Sequence, residues 1–137
     1  MTIDEQKIHN ICKKHNIKNY TINPDGSIDV DGDVLLYNRR LKKLPLDFNI
    51  VSGYFNCSWE KLTSLKGCPK EVGGDFYCSY NKLTSLEHSP LIICGLFYCV
   101  DNPLESLNGF NGHYDKLYCD NKQKLIRKTK LKILDIL

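Results

Sequence analysis

Seven cysteines and four histidines carry most of the latent chemistry of this 137-residue chain. Thiolates bind zinc, form disulfides or attack electrophiles, and imidazoles act as ligands or bases. Spacing decides among these uses. Cys57, Cys78, Cys99 and Cys119 recur at intervals of 21, 21 and 20 residues, so they mark one repeated position and do not form a cluster. If the copies stack as strands, their sulfurs form a ladder with rungs about 4.8 Å apart. A zinc ion needs four sulfurs about 2.3 Å from one point, which such a ladder cannot supply, and no Cys-x-x-Cys is present. Neighbouring rungs do lie within disulfide range. The odd cysteine count and the lack of a basic-then-apolar leader in Met1-Thr2-Ile3-Asp4-Glu5 favour buried free thiols, which pack as small hydrophobes. Cys12, Cys68 and Cys94 lie off the ladder and are expected to be further core thiols.

The remaining candidates for chemistry weaken in the same way. His9, His15, His88 and His113 occupy unlike positions, outside any nucleophile signature or metal-binding spacing. A nucleophilic Cys78 or Cys99 would need exposure and a partner that lowers its pKa, whereas the repeat puts both inside. Asp25, Asp29, Asp31 and Asp33 suggest a calcium loop. Placing Gly32 at its sixth position, however, puts Ser27 first and Asn38 twelfth, where a loop of this kind wants a carboxylate and a bidentate Glu. Asp29, Asp31 and Asp33 also alternate with Val30 and Val34, as a solvated strand face does. The reading is therefore non-enzymatic, with no catalytic residue, no metal and no cofactor.

The element that positions these residues is a repeat. Leu-Thr-Ser-Leu occurs at 62–65 and again at 83–86, and Phe55, Phe76 and Phe97 lie 21 apart, as do Gly32, Gly53, Gly74 and Gly95. A fixed period of this length means a solenoid. Copies begin at Val30, Val51, Val72 and Ile93. In each, an alternating segment such as Phe76-Tyr77-Cys78 sends Phe and Cys inward and Tyr outward. A polar residue follows (Arg39, Glu60, Asn81, Asn102 or Lys122), and then two leucines three apart. Asn81 turns the chain by bonding nearby backbone, and Pro69 and Pro90 mark an irregular return path.

The segment Phe76-Tyr77-Cys78-Ser79-Tyr80-Asn81-Lys82-Leu83 resembles the leucine-rich-repeat core, apolar-x-apolar-x-x-Asn-x-Leu. It is similar to the short 20–21-residue repeats of secreted bacterial effectors, and closer to the Cys/Asn-type repeats of large tailed phages and giant viruses. The resemblance spans roughly residues 20–122. The first apolar anchor lies four residues before the strand Phe instead of three, and Arg39, Glu60 and Lys122 replace the usual Asn. The resemblance implies an α+β solenoid of about four to five 21-residue coils with a parallel β-sheet on a concave face. It also implies protein–protein recognition, without naming a partner.

One domain is expected over 1–137: an N-terminal helix and hairpin cap at 1–31, repeats at 32–115, and a last partial repeat with a capping helix at 116–137. Thr2 and Glu5 form a capping-box pattern ahead of Ile8, Ile11 and Cys12 at helical spacing, with Ile3 just before. Residues 20–30 read as a hairpin. Residues 116–137 hold seven Lys and Arg against two acids, so this end is more positive than the whole chain at +3. Leu125, Ile126, Ile133, Leu134 and Leu137 make one apolar stripe of that helix. Lys124, Arg127 and Lys128 are either its solvated back or a patch for an anionic partner. With no apolar run of about 18 residues, no membrane span is expected. The expected location is the cytoplasm, or the host cytoplasm for a viral protein.

Outward strand positions line up as Asp33, Tyr54, Asp75, Leu96 and Lys116, then Leu35, Asn56, Tyr77, Tyr98 and Tyr118, then Tyr37, Ser58, Ser79, Val100 and Asp120. Trp59 and Tyr80 fall at their edge. Tyr and Trp offer large contact area with few rotatable bonds and dominate binding hot spots, although aromatics also favour strands for packing alone. Tyr37, Tyr54, Trp59, Tyr77, Tyr80, Tyr98 and Tyr118 are the candidate partner-binding residues. The viral resemblance implies an accessory protein that binds and inhibits or redirects a host defence protein. The alternative is a nucleic-acid binder in which the tyrosines stack on bases and the basic end follows phosphates. Asp33, Asp75 and Asp120 on the same face disfavour a phosphate backbone. A monomer and a dimer through an end cap are both open.

Overall fold

The computed structural model describes residues 2–136, with side chains given for 2 and 4–130. The side chains of Ile3, Lys132, Ile133, Leu134 and Asp135, and the whole of Leu137, therefore lie outside what is described, and with them part of the expected C-terminal stripe and charge count. In chain order the elements are α1 (Ile3–Lys14), β1 (Tyr20–Ile22), β2 (Ile28–Val30), β3 (Val34–Leu35), β4 (Phe48–Val51), β5 (Phe55–Asn56), β6 (Glu71–Val72), β7 (Phe76–Tyr77), β8 (Ile92–Ile93), β9 (Phe97–Tyr98), a 3₁₀ turn (Tyr114–Lys116), β10 (Leu117–Tyr118) and α2 (Lys122–Ile136).

The chain winds as a parallel β-solenoid of about four turns with a 21-residue spacing. One sheet runs β10-β9-β7-β5-β3, parallel throughout, and pairs Phe55 with Phe76 and Phe76 with Phe97. The alternation behaves as expected. Phe55, Phe76, Phe97, Cys57, Cys78 and Cys99 are buried, while Tyr77 and Tyr98 stay partly exposed on the other face. Stacked coils put like on like. The Phe55 and Phe76 rings lie 5.7 Å apart at 7°, and those of Phe76 and Phe97 are 4.9 Å apart. Phe48 and Phe110 close the two ends of this column edge-on. Such ring pairs add about 0.5–1.5 kcal/mol each beyond their buried area. Leu62, Leu65, Leu83, Leu86 and Leu107 complete the core from the opposite wall.

A second sheet, β1-β2-β4-β6-β8, accounts for the extra residue before each strand Phe. Val51 and Val72 point into the core from strands of their own, one coil apart in one row with Val30 and Ile93. The glycines turn the corner between the sheets, and they stack too closely for a side chain. A Cβ on Gly95 would lie 2.1 Å from Asp75 Oδ1 and 2.8 Å from the Gly74 carbonyl oxygen. Cys94 corrects an expectation, because it is exposed. It sits at the place Ser52 and Gly73 hold in earlier coils, where the backbone N–H donates to the preceding Val carbonyl and the side chain leaves the core.

Both ends are covered. Thr2 caps α1, accepting from Glu5 N–H at 3.0 Å while the Glu5 carboxylate takes Thr2 N–H, so the capping box forms. The β1–β2 hairpin is antiparallel and seats Tyr20 opposite Val30. At the far end α2 buries Leu125 and Thr129, and Thr129 Oγ1 accepts the Leu107 N–H at 2.9 Å. No helix among the described residues is long and apolar enough to cross a membrane.

Candidate functional site

The outward face of the first sheet presents its aromatics in two stacks. Register makes the first. Tyr77 lies opposite Tyr98, and Tyr98 opposite Tyr118, because the strands are parallel and in phase. Their rings pack face to face, 4.9 Å apart at 3° and 5.1 Å apart at 19°. Tyr54 joins from the diagonal, edge-on to Tyr77 at 6.2 Å. The second stack is Trp59 on Tyr80, 3.8 Å apart at 8°. Trp59, Tyr80 and Tyr118 are exposed, Trp59 by 57%. Tyr37 is not brought into either stack. It stands alone at the first coil with the Arg39 guanidinium over its ring and bonded to its hydroxyl.

Trp59 and Tyr80 have an unexpected backbone. Both are left-handed, at φ 62° and 57°, a conformation that costs a bulky L-residue roughly 1–2 kcal/mol. Asp101 and Asn121 follow in the same conformation at the same turn, and those residue types accept it easily. Two large aromatics are thus held where Asn or Asp would fit with less strain. Strain of this kind concentrates at binding sites.

Beneath the aromatics, polar side chains satisfy the turn. Asn81 is buried. Its Oδ1 accepts the Leu62 N–H, and its Nδ2 donates to the carbonyls of Cys57, Cys78 and Ser79. Asn102 repeats this one coil later with Leu83, Cys78, Cys99 and Val100. Glu60, equally buried, has no donor, and instead accepts from the N–H groups of Asn38 and Arg39. Burial pushes its carboxyl up from the ordinary range, and those two backbone bonds pull part of the way back. Lys122 fills the last position by donating to the carbonyls of Tyr114 and Leu117.

The aspartates of the face also hold structure together. Asp33 Oδ1 accepts from Tyr54 N–H and Asp75 Oδ1 from Leu96 N–H, each one coil on. Asp75 also takes the Tyr77 hydroxyl at 3.1 Å. Partial burial and that bond raise the Tyr77 phenol above its usual value, so it stays a neutral donor. Asp29 and Asp31 accept from Ile50 N–H, Asn49 and Ser52 in the same fashion, which gives the acidic string of the first coil a structural use.

The thiols pack as a ladder. Cys57 and Cys78 are fully buried and pushed well above the usual thiol range by burial, and Cys68 to about 12. Cys119, half-buried, is lowered by a hydrogen bond from Cys99 and by Lys122. Lys124, Arg127 and Lys128 are exposed on α2, an element apart from the aromatic stacks. Sequence reasoning read β1 and β2 as a hairpin but missed that β4, β6 and β8 extend them into a second sheet, whose outward positions include exposed Ile50 and Ile92. The β-branched residues that open each copy, Val51, Val72 and Ile93, were its visible signal.

No family model, curated protein or solved structure matches this chain.

Proposed function

We propose that the chain is a non-enzymatic recognition module of the leucine-rich-repeat type that binds a folded protein through the aromatic face of its first sheet. The observation that carries this reading is the pair of exposed stacks, Tyr77-Tyr98-Tyr118 and Trp59-Tyr80, the second held in left-handed backbone. Flat, rigid aromatic rings with exposed edges are the side chains that supply most binding energy at protein interfaces. The likeness to phage and giant-virus repeats makes the target a host factor, with inhibition or redirection as the outcome and the host cytoplasm as the place. The rival reading is nucleic acid stacked on the same rings and held by Lys124, Arg127 and Lys128. Asp33, Asp75 and Asp120 on the tyrosine face weigh against it.

The test is a double variant, Tyr77→Ala with Tyr98→Ala. Capture of the partner identified by pull-down should fall at least tenfold, while the thermal midpoint moves by only a few degrees. Tyr80→Asn, which suits the left-handed backbone, should also weaken capture without loss of stability. Normal capture by both variants would overturn the reading. Salt-dependent binding of single-stranded oligonucleotides that vanishes on charge reversal at Lys124, Arg127 and Lys128 would install the rival.

A further inference from the structure

The second sheet stops one coil before the first. In successive coils the carbonyls of Val30, Val51 and Val72 accept the N–H groups of Ser52, Gly73 and Cys94. The carbonyls of Asn49 and Lys70 are likewise taken by Lys70 and Leu91. Ile93 on β8 and Leu91 just before it stand at the same two places, and among the described residues nothing donates to either carbonyl. The cause is local. In the final coil the residues one period after Ile92 and Ile93 are His113 and Tyr114; His113 is extended but pairs with no strand, and Tyr114 opens the 3₁₀ turn Tyr114–Lys116. β8 is therefore an open edge.

Beside that edge lies a cavity of about 80 Å³ whose lining includes Leu91, Ile93, Phe97, Phe110, His113 and Lys116. It lies against Ile93, the partly buried last member of the inward row Val30, Val51, Val72, Ile93. Leu91 and Ile92 beside it are exposed by 66% and 52%. No acidic residue lines it; Asp115 is on the same turn but faces solvent. Lys124, Arg127, Lys128 and Lys130 follow, exposed, on α2.

We propose that the β8 edge binds an extended acidic peptide as a further parallel strand, with one apolar side chain in the cavity. An exposed edge offers main-chain hydrogen bonds for affinity and a side-chain pocket for selection. Parallel pairing in the register of the earlier coils directs the anchor side chain inward, and it brings the N–H of the next peptide residue to the Ile93 carbonyl. The cationic end selects acidic flanks. It also disfavours a second copy of this chain at the edge, since that would set two basic ends against each other. This site is separate from the aromatic face of the first sheet.

Four fluorescein-labelled hexapeptides, Asp-Glu-X-Val-Glu-Asp with X as Val, Ile, Leu or Phe, test the proposal by anisotropy at low salt. At least one should bind with a Kd between about 10 and 100 μM. N-methylation of the Val after X should weaken it about tenfold. Lys116→Glu should weaken it about threefold, a loss that disappears in high salt. Tyr77→Ala with Tyr98→Ala should leave peptide binding unchanged while protein capture falls. Silence from all four peptides at about 1 mM, equal binding of the N-methylated peptide, or a dimer in sedimentation that blocks the peptide would overturn it.

Discussion

Glu60 occupies a place that Asn81 and Asn102 fill in later coils, and the exchange shows how much one side chain's hydrogen-bonding repertoire decides. An amide both donates and accepts, so Asn81 serves carbonyls and an N–H together. A carboxylate only accepts, so the first coil turns two backbone N–H groups toward it, with Arg39 at φ 69°. Because burial raises its folded-state pKa above the ordinary 4.5, the folded chain holds that proton more tightly than the unfolded chain. Its contribution is then largest at low pH and declines as pH rises from about 4.5 through the raised value. Glu60→Gln should remove that decline, seen as a flatter difference curve against wild type in urea unfolding from pH 4 upward. The thiols give a second check. Cys94 should react first with a thiol reagent in the native state and Cys119 next, whereas Cys12, Cys57, Cys68, Cys78 and Cys99 should react only on unfolding. Cys94→Ser should abolish the fastest phase, and rapid native labelling of Cys78 would contradict the packing.

Among the elements, the two-residue strands are too short to be stable alone and hold because they pair in register, β5, β6, β7 and β9 on both sides and β3, β8 and β10 on one. The asparagine turns join them. Asn81→Leu keeps the volume but leaves the Leu62 N–H and the Cys57 carbonyl unpaired in the core, a loss of about 3 kcal/mol, or roughly 10 °C in the thermal midpoint. A shift below about 2 °C would show that water replaces the amide. The strands of the first sheet were legible because Phe-x-Cys alternates and recurs over several copies. In the second, the β1–β2 hairpin was legible but β6 and β8 were not, since Glu71-Val72 and Ile92-Ile93 are too short to alternate and follow prolines that signal loop. Cys94 misled for a related reason: a corner position resembles a core position when composition is the only guide. The left-handed Trp59 and Tyr80 had no signal at all, because bulky aromatics rarely adopt that backbone. The open edge of β8 left a small one: Tyr118 follows Tyr98 by 20 residues, not 21.

For the whole molecule, stability depends on closing the ends of a column that could otherwise continue. α2 covers one end through Leu125 and Thr129. A chain stopped after Asp120 should unfold at a lower temperature and self-associate with concentration in sedimentation, because Leu104, Leu107 and Leu117 lose their cover. A truncated monomer of unchanged midpoint would show the helix to be dispensable. The identical register from coil to coil bears on how such a chain changes over generations. Copying one whole unit within the gene would add a storey whose floor and ceiling already fit its neighbours, and one more ring to the external pile. The reach of the molecule toward a larger target can therefore be adjusted in whole steps without redesigning its interior, provided the two unrepeated termini are left as they are.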